Sequence, residues 1–353
     1  MIKILHSADW HLDSPLSARE DDLRAALLEI PEKIAEVVRQ EQCDLVLLAG
    51  DLFDGVPSRE TVERVHRALE EMGVPVLIAP GNHDYVRPDS PWLCHLWPEN
   101  VHVFTQNSMT DLVLPGLDCR VYGAAFTGMD CAALLEEFHA EGAEHRHLAV
   151  LHGDPQTHNS PYCPITQEQI RDSGLDYLAL GHIHKSGRLR FGETLCAWPG
   201  CPMGRGYDET GEKGVYIVTL DDTVEAVFRP LDTPRFYDLT VEAGVDPAET
   251  LNANLPSLGS NDYYRVTLTG ESPEVDLPAL QEAFVRFPRL VLRDRTVPPV
   301  DLWVNAGEDT LEGAFFRLLQ EALADEEPDA QRQIRLAAKL CRKLMDGQEV
   351  ALP

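Results

Sequence analysis

The fold is decided by the first stretch of the chain, residues 1–12, which reads MIKILHSADWHL. Its short apolar start, Ile2–Leu5, predicts a buried strand. Two polar residues with metal-binding side chains, Asp9 and His11, follow directly. The same order of apolar run and polar cluster recurs along the chain, with clusters at Gly50–Asp54, Gly81–Asp84, His152 and Gly181–His184.

The later clusters also follow predicted strands, at Leu45–Leu48, Val74–Ile78, Leu148–Leu151 and Tyr177–Leu180. In layered α/β folds, the loops at the C-terminal ends of the strands converge on one ligand crevice. We therefore expect side chains as far apart in sequence as Asp9 and His184 to meet at one edge.

The residue types in these clusters fit a hard or borderline metal ion. Imidazole and carboxylate ligands suit manganese, iron or zinc, whereas an all-thiolate set indicates structural zinc. Asp51 can bridge two cations because a carboxylate has two oxygens, and a two-metal site suits hydrolysis of phosphate esters. Each cluster alone is commonly a turn or a cap, and a lone His152 is commonly a core histidine. The ordered set of clusters favours the metal site.

The ordered set resembles the calcineurin-like metallophosphoesterase superfamily. This resemblance implies an α/β fold, a four-layer α-β-β-α sandwich of two mixed sheets with a dimetal centre. It further implies that one metal is held by Asp9, His11, Asp51 and His184. The other metal would be held by Asp51, Asn82, His152 and His182.

The resemblance gives His83 a catalytic role rather than a ligand role. A hydroxide bridging the metals would attack phosphorus in line, while His83 stabilises charge or protonates the leaving oxygen. Asp84 would orient the His83 ring and raise its basicity, with a turn cap as the alternative.

Three stretches narrow the resemblance to the SbcD-type DNA repair exonucleases, namely residues 1–12, Gly50–Asp54 and Leu180–Lys185. Residues 198–214 are similar to the YhaO-like subgroup of that branch. The resemblance implies a DNA exonuclease, 3′ to 5′, with endonuclease action on single strands or hairpins. It would use two divalent metals, Mn²⁺ first, with Fe²⁺ or Zn²⁺ also suitable. The alternatives are a phosphatase or phosphodiesterase acting on small nucleotides or phosphoproteins, and a catalytically silent binding subunit.

The net charge of −29 is unusual for a protein that binds DNA, because duplex affinity comes largely from neutralising phosphates. Basic residues do follow the last metal motif, at Lys185, Arg188, Arg190, Arg205 and Lys213. They predict a phosphate-binding lip on an acidic body, against the alternative of a solvated hairpin face. The acidic remainder suggests that a partner supplies part of the DNA affinity.

We predict three parts, with a metallophosphoesterase domain at residues 1–232. Within it, short alternating runs from Thr194 to Pro230, including Gly214–Leu220, predict strands of a second sheet. Residues 233–300 alternate strand and helix and predict a small α/β module. In the resembling nucleases, such a module caps the active site and helps recognise DNA, and the alternative is an appendage that only adds stability.

The third part, residues 301–353, is predicted to be a helical hairpin. One helix would share an apolar face of Leu311, Phe315, Leu318, Leu319 and Ala322, and the next a face of Ile334, Ala337, Leu340 and Leu344. Residues 325–329 would form the turn, and Arg342 would lie on the polar side. The resemblance implies that this hairpin grips an SbcC-like coiled-coil ATPase subunit. Packing on its own body or on a second copy is the alternative.

Composition predicts a cytoplasmic protein that does not enter membranes. No apolar run reaches the length of a membrane span, and the first strand is too short for a signal peptide. The eight cysteines form no Cys-x-x-Cys pair and are interpreted as reduced thiols, mostly in the core.

Overall fold

The computed structural model describes residues 1–15, 21–324 and 327–347. Their Cα positions form two compact units. The first unit comprises Met1–Asp238, Ser260–Arg265 and Phe287–Leu290, and the second comprises the described residues of Leu239–Gly259, Val266–Arg286 and Val291–Pro353. The three-part division with boundaries at 232 and 300 stays a prediction.

The first unit contains a six-stranded sheet in which β1 to β4 run parallel. In spatial order its strands are β12 (Val224–Pro230), β11 (Gly214–Leu220), β1 (Ile2–Ser7), β2 (Leu45–Leu48), β3 (Val76–Ile78) and β4 (Val101–Val103). β11 lies antiparallel to β1, with Ile2 opposite Leu220. The predicted strand at Gly214–Leu220 is therefore confirmed, but its placement in a second sheet is wrong, because the chain returns to pair with its own first strand.

The second six-stranded sheet has four parallel strands, β6, β7, β8 and β10, between two antiparallel edge strands. In spatial order its strands are β5 (Thr110–Leu114), β6 (Cys119–Gly123), β7 (Arg146–His152), β8 (Tyr177–Gly181), β10 (Thr194–Trp198) and β9 (Gly187–Phe191). Each sheet thus has parallel central strands whose C-terminal ends meet at one edge.

The two sheets pack face to face because side chains alternate along each strand. Leu45 and Leu47 point into the core shared with the second sheet, whereas Val46 and Leu48 pack under helices. Those helices are α1 (Asp21–Leu28), α2 (Ile30–Glu41) and α3 (Arg59–Met72). A third core lies on the outer face of the second sheet, against α5 (Gln167–Asp172). The predicted α/β sandwich of two mixed sheets is confirmed.

Local capping explains where α3 begins and ends. The Ser58 side chain accepts the backbone N–H of Thr61, and Gly73 adopts a left-handed φ of 66° at the C-terminus. A shorter helix, α4 (Pro91–Cys94), follows β3 along the chain.

The predicted alternation of strands and helices after Pro234 is confirmed. Its elements are β13 (Phe236–Glu242), α6 (Pro247–Asn254), β14 (Tyr263–Thr269), α7 (Leu277–Ala283) and β15 (Leu290–Asp294), and the strands form a three-stranded sheet. The predicted helical tail is also present, as α8 (Leu311–Leu323) and α9 (Pro328–Met345). Residues 325–326 of the predicted turn lie outside the described residues.

The predicted apolar faces of the tail are wrong in part. On α8 the buried side chains include Phe316 and Leu323, whereas Leu311 and Leu318 are 90% and 67% exposed. Arg342 of α9, predicted to be on the polar side, is buried over the Phe316 ring. Its guanidinium donates to Glu312 and to the Leu302 carbonyl, and these hydrogen bonds offset the cost of burying its charge.

In the described part of the chain, every helix is too short or too polar to span a lipid bilayer. Every cysteine is a free thiol, and five of the eight are buried.

Candidate metal centre

The predicted ligand clusters converge at the C-terminal ends of the parallel strands. The loops after β1 and β2 run side by side, because the Asp9 N–H donates to the Gly50 carbonyl and the His11 N–H to the Asp51 carbonyl. Glycine permits the two sheets to approach closely here. A Cβ on Gly181 would lie 1.9 Å from the Ala49 carbonyl oxygen, so only glycine fits.

Several candidate ligands sit in an uncommon backbone conformation. Asp9, His11, Asp51 and His182 have φ values of 55°, 47°, 54° and 91°. Left-handed φ is unfavourable for residues with a Cβ, and such strain concentrates at functional sites. The surrounding loop hydrogen bonds stabilise this conformation, and the side chains of Asp9, His11 and Asp51 come together.

The first metal-binding group consists of Asp9, His11 and His184, whose candidate ligand atoms all lie within 4.8 Å of one another. The Nε2 atoms of His11 and His184 are 3.1 Å apart. Two nitrogens that each bind one metal at about 2.0–2.1 Å lie roughly 3 Å apart, so this separation fits a shared cation. Asp9 Oδ1 lies 3.9 Å from the His184 Nε2.

The second group places Asp9 and Asp51 beside His152. His152 donates its Nδ1–H to the Ala49 carbonyl, which leaves the Nε2 lone pair facing Asn82 Oδ1 at 3.0 Å and Asp51 Oδ2 at 3.3 Å. With the imidazole neutral, these are three acceptors facing one another, which is an arrangement that a cation stabilises. Asp51 Oδ2 also lies 3.8 Å from His11 Nε2 of the first group, so Asp51 faces both groups and the donor set fits two metals.

His182 stands apart from these groups. Among the described residues, it belongs to none of the clusters whose ligand atoms lie within 4.8 Å of one another. Its ring packs against His152 at a centroid distance of 5.3 Å and against Tyr162 at 4.9 Å, and its backbone N–H donates to Asp9. It borders the second group.

Burial controls the protonation of these histidines. It lowers the pKa of His11 to about 3 and of His182 to about 4, which keeps both rings neutral, as ligands must be. For His152 the effect of burial is outweighed by the charges of Asp51 and Asp9, which raise its pKa to about 9. Without a metal its Nε2 therefore carries a proton at neutral pH, and a bound cation would replace that proton. The pocket thus attracts positive charge at its buried carboxylates.

The carboxylate that contacts His83 is Asp54, which corrects the expectation that Asp84 orients this ring. His83 Nδ1 lies 2.8 Å from Asp54 Oδ1, and this hydrogen bond raises the pKa of His83. The His83 side chain is 41% exposed at the mouth of the site. His83 also falls in a third group of potential ligands, with His11 and Asp51.

Asp84 instead organises the backbone beneath the site. Its two oxygens accept the N–H groups of Asp51, Leu52, Phe53 and Gly81 at 2.8–3.3 Å. Burial and the charge of Asp51 raise its pKa to about 7, although the N–H groups act in the opposite direction. Asp84 therefore resembles the turn cap of the alternative interpretation.

The five basic residues of the predicted phosphate-binding lip divide into a buried set and an exposed set. Arg205 and Lys213 are largely buried around His184, where Arg205 donates to Glu209 and Lys213 Nζ lies 3.3 Å from the His184 carbonyl. Lys185 and Arg188 are exposed. With Arg190, Arg188 lines an open groove of about 500 Å³ beside β9 and β12.

Sequence reasoning assigned no role to Asp54 or Glu209. Asp54 stands three residues after Asp51 in the quoted Gly50–Asp54 motif, so its sequence position could have indicated that it lies near the site. Glu209 accepts a hydrogen bond from His184 Nδ1 at 2.7 Å. It lies in an irregular stretch where spacing carries no signal.

The fold and site define a metallophosphoesterase, and comparison with known proteins agrees. Residues 2–186 match the family described as calcineurin-like phosphoesterase. A similar protein is the uncharacterized metallophosphoesterase YhaO of Bacillus subtilis (strain 168), 30% identical over 307 residues, which cover 77% of this chain and 73% of YhaO. The chain belongs to the calcineurin-like phosphoesterase family.

Two solved structures also match. A dimetal phosphatase from Danio rerio is 15% identical, with a TM-score of 0.43, and the match covers 66% of this chain and 98% of that one. TT1561 of Thermus thermophilus is 15% identical, with a TM-score of 0.40, and the match covers 64% and 98%.

Proposed function

We propose that this phosphoesterase is a dimetal phosphodiesterase that acts on DNA as a nuclease of the SbcD type. The observation that carries the phosphodiesterase assignment is the pair of metal-binding groups sharing Asp9, next to an exposed His83. When bound, two divalent metals lower the pKa of water and neutralise charge on the phosphoryl group. Mn²⁺ is our first choice of metal.

The chain itself provides the proton chemistry at the leaving group. The Asp54 contact at Nδ1 leaves Nε2 as the His83 nitrogen that can act on a substrate, and the side chain is 41% exposed. The raised pKa of His83 favours the imidazolium, which can donate a proton to the departing oxygen. The burial of Asp9, Asp51 and His152 keeps water away from the opposite side.

DNA as the substrate is supported by the exposed cations that follow the last ligand. Lys185 comes directly after His184, and Arg188 and Arg190 continue along the edge strand β9. Alternate residues of a strand share a face, so the two arginines point to the same side. A DNA strand that enters the site can therefore contact these cations through its phosphates.

The double variant Lys185→Ala/Arg188→Ala tests this assignment, with linear DNA and Mn²⁺. We expect KM for DNA to rise and its dependence on salt to weaken, by about one unit of log–log slope for each phosphate that is no longer neutralised. Hydrolysis of a small p-nitrophenyl phosphodiester should be unchanged. Arg39→Ala, which removes a half-exposed arginine of α2, is the matched control. End-labelled strands would report the polarity, for which we propose 3′ to 5′.

Unchanged DNA cleavage in the double variant would contradict the proposal that Lys185 and Arg188 contact the phosphates of DNA. The second candidate is then hydrolysis of small nucleotides or phosphoproteins, which the net charge of −29 favours. Turnover of a phosphomonoester that exceeds turnover of DNA at equal concentration would support it.

We further propose that the helical tail binds a partner, an SbcC-like coiled-coil ATPase. The support is an apolar stripe on α8 made of Leu311, Phe315, Leu318 and Ala322, in which Leu311 and Leu318 are highly exposed. Such spacing is typical of a helix that docks against another helix. Light scattering of Leu318→Asp, with and without a purified ATPase of this type, distinguishes this partner from a second copy. Equal binding by wild type and variant would contradict the stripe's role.

A further inference from the structure

Residues 200–213 form a loop, called the 200–213 loop, that contacts both the side chain and the backbone of the candidate ligand His184. Glu209 Oε1 lies 2.7 Å from His184 Nδ1, and the Glu209 side chain is only 8% exposed. The loop also fixes the backbone of His184, whose carbonyl accepts the Cys201 N–H at 3.4 Å and the Lys213 ammonium at 3.3 Å. His184 therefore has little freedom to rotate.

The contact with Glu209 determines which ring nitrogen of His184 carries the proton. A carboxylate can only accept, so Nδ1 must be the N–H that donates to it. Arg205 Nη2 lies 3.2 Å from the same Nδ1, but a guanidinium is a donor and cannot take the place of Glu209 as acceptor. Nε2 is thereby left with its lone pair toward His11 Nε2, 3.1 Å away.

Arg205 binds the Glu209 carboxylate and holds it against His184. Its Nη2 donates to Oε1 at 2.7 Å, and its backbone N–H donates to Oε2 at 2.9 Å. The other terminal nitrogen, Nη1, lies 3.8 Å from Asp54 Oδ2. One guanidinium thus joins the carboxylate behind His184 to the carboxylate behind His83.

We propose that Glu209 is a positioning residue for the metal held by Asp9, His11, Asp51 and His184, acting by fixing the tautomer and orientation of the His184 ring. Arg205 couples this contact to the Asp54–His83 pair. The proposal rests on the dimetal site of the proposed function. It goes beyond the family match, because Glu209 lies outside residues 2–186, the part of the chain that matches the family. It also reassigns Arg205 from binding of substrate to support of the site.

The test is Mn²⁺ titration of metal-free Glu209→Ala by calorimetry. We expect one of two binding steps to weaken by about 10- to 100-fold, the usual effect of removing a carboxylate that orients a metal-binding histidine. The other step, at Asn82, His152 and His182, should keep its affinity. Glu212→Ala is the matched control, because Glu212 lies in the same loop but its side chain is 58% exposed.

A second measurement separates positioning from a general loss of structure. In ¹⁵N-labelled metal-free protein, the imidazole nitrogens of His184 should show the Nδ1–H tautomer in wild type and a mixture in Glu209→Ala. Glu209→Gln retains an acceptor oxygen, so it should restore much of the metal affinity. If Glu209→Ala does not fold, the wild-type tautomer decides, because a His184 ring protonated at Nε2 in the metal-free wild type would overturn the proposal.

Two wild-type-like binding steps in folded Glu209→Ala, or an unchanged His184 tautomer, would overturn the proposal. His184→Ala is the reference that shows which step belongs to this ligand. These measurements use no phosphoester substrate. A wild-type protein that binds two ions but cleaves no DNA would count against the proposed substrate and leave the role of Glu209 intact.

Discussion

The Asp54–His83 pair carries the first prediction at the scale of single residues. Asp54→Asn removes the carboxylate that raises the pKa of His83, so less of the ring is protonated to assist the leaving group. We expect cleavage of a dinucleotide, whose leaving group is an alkoxide, to fall by about 100-fold or more. Hydrolysis of a p-nitrophenyl phosphodiester should fall much less, because nitrophenolate departs without a proton.

The control for this comparison is Asp89→Asn, a change at an exposed carboxylate. Equal losses on the two substrates would show that Asp54 does not act through the leaving group.

Asp84 carries the second prediction. In Asp84→Asn the amide retains one oxygen, so two of the four backbone N–H groups that the carboxylate accepts would face an NH₂ group. A buried donor without a partner costs about 1–3 kcal/mol. Urea unfolding should show a loss of this size or more in the free energy of unfolding. A stability equal to that of Asp89→Asn would contradict the structural role.

The two aspartates show how far residues can be assigned from sequence. Most of the side chains that meet at the candidate metal centre could be predicted, because residue type and order after each strand are visible in the chain. The choice between Asp54 and Asp84 could not, since it depends on how the loops fold over one another. The left-handed φ of Asp9 and Asp51 could not be predicted from the sequence for the same reason.

At the scale of elements, a buried histidine joins the two sheets and makes stability depend on pH. His6 of β1 lies 2.7 Å from the Tyr177 hydroxyl of β8, and its Nε2–H donates to the Leu180 carbonyl. Burial lowers the pKa of His6 to about 3, although the Leu180 carbonyl acts in the opposite direction. The folded protein therefore holds this ring neutral.

His6 should destabilise the protein progressively as the pH falls. Below about pH 6.5 the unfolded chain binds a proton at His6, whereas the folded chain does not bind this proton until the pH falls to about 3. The free energy of unfolding should fall by about 1.4 kcal/mol per pH unit from this group alone. Urea unfolding of metal-free wild type and His6→Gln, at about pH 7 and about pH 5, measures the difference in slope. Parallel slopes would contradict this role of His6.

Elements were predicted well where their signal is local and poorly where it is not. Apolar runs predicted β1, β2 and β8. Nothing in the periodicity of Gly214–Leu220 reveals that β11 pairs with β1, because pairing depends on the distant strand. The buried face of α8 could not be predicted because this helix has apolar residues on several of its sides. Phe316 rather than Leu311 packs inward.

At the scale of the whole molecule, the chain combines an acidic composition with a buried site that attracts cations. The fold class could be predicted through the family resemblance that the ordered motifs carry. The role of the basic residues could not, because charge in sequence does not show that Arg205 is buried against Glu209 while Lys185 is exposed.

The central claim is that two metals, sharing Asp51, carry out phosphoester hydrolysis. Metal content by mass spectrometry should be measured together with hydrolysis of a phosphodiester, as Mn²⁺ is returned to the metal-free wild type and Asp51→Asn. We predict that activity appears as the wild type approaches two ions per chain, and that Asp51→Asn binds less metal and is inactive. Full activity in the metal-free protein or in Asp51→Asn would contradict this claim.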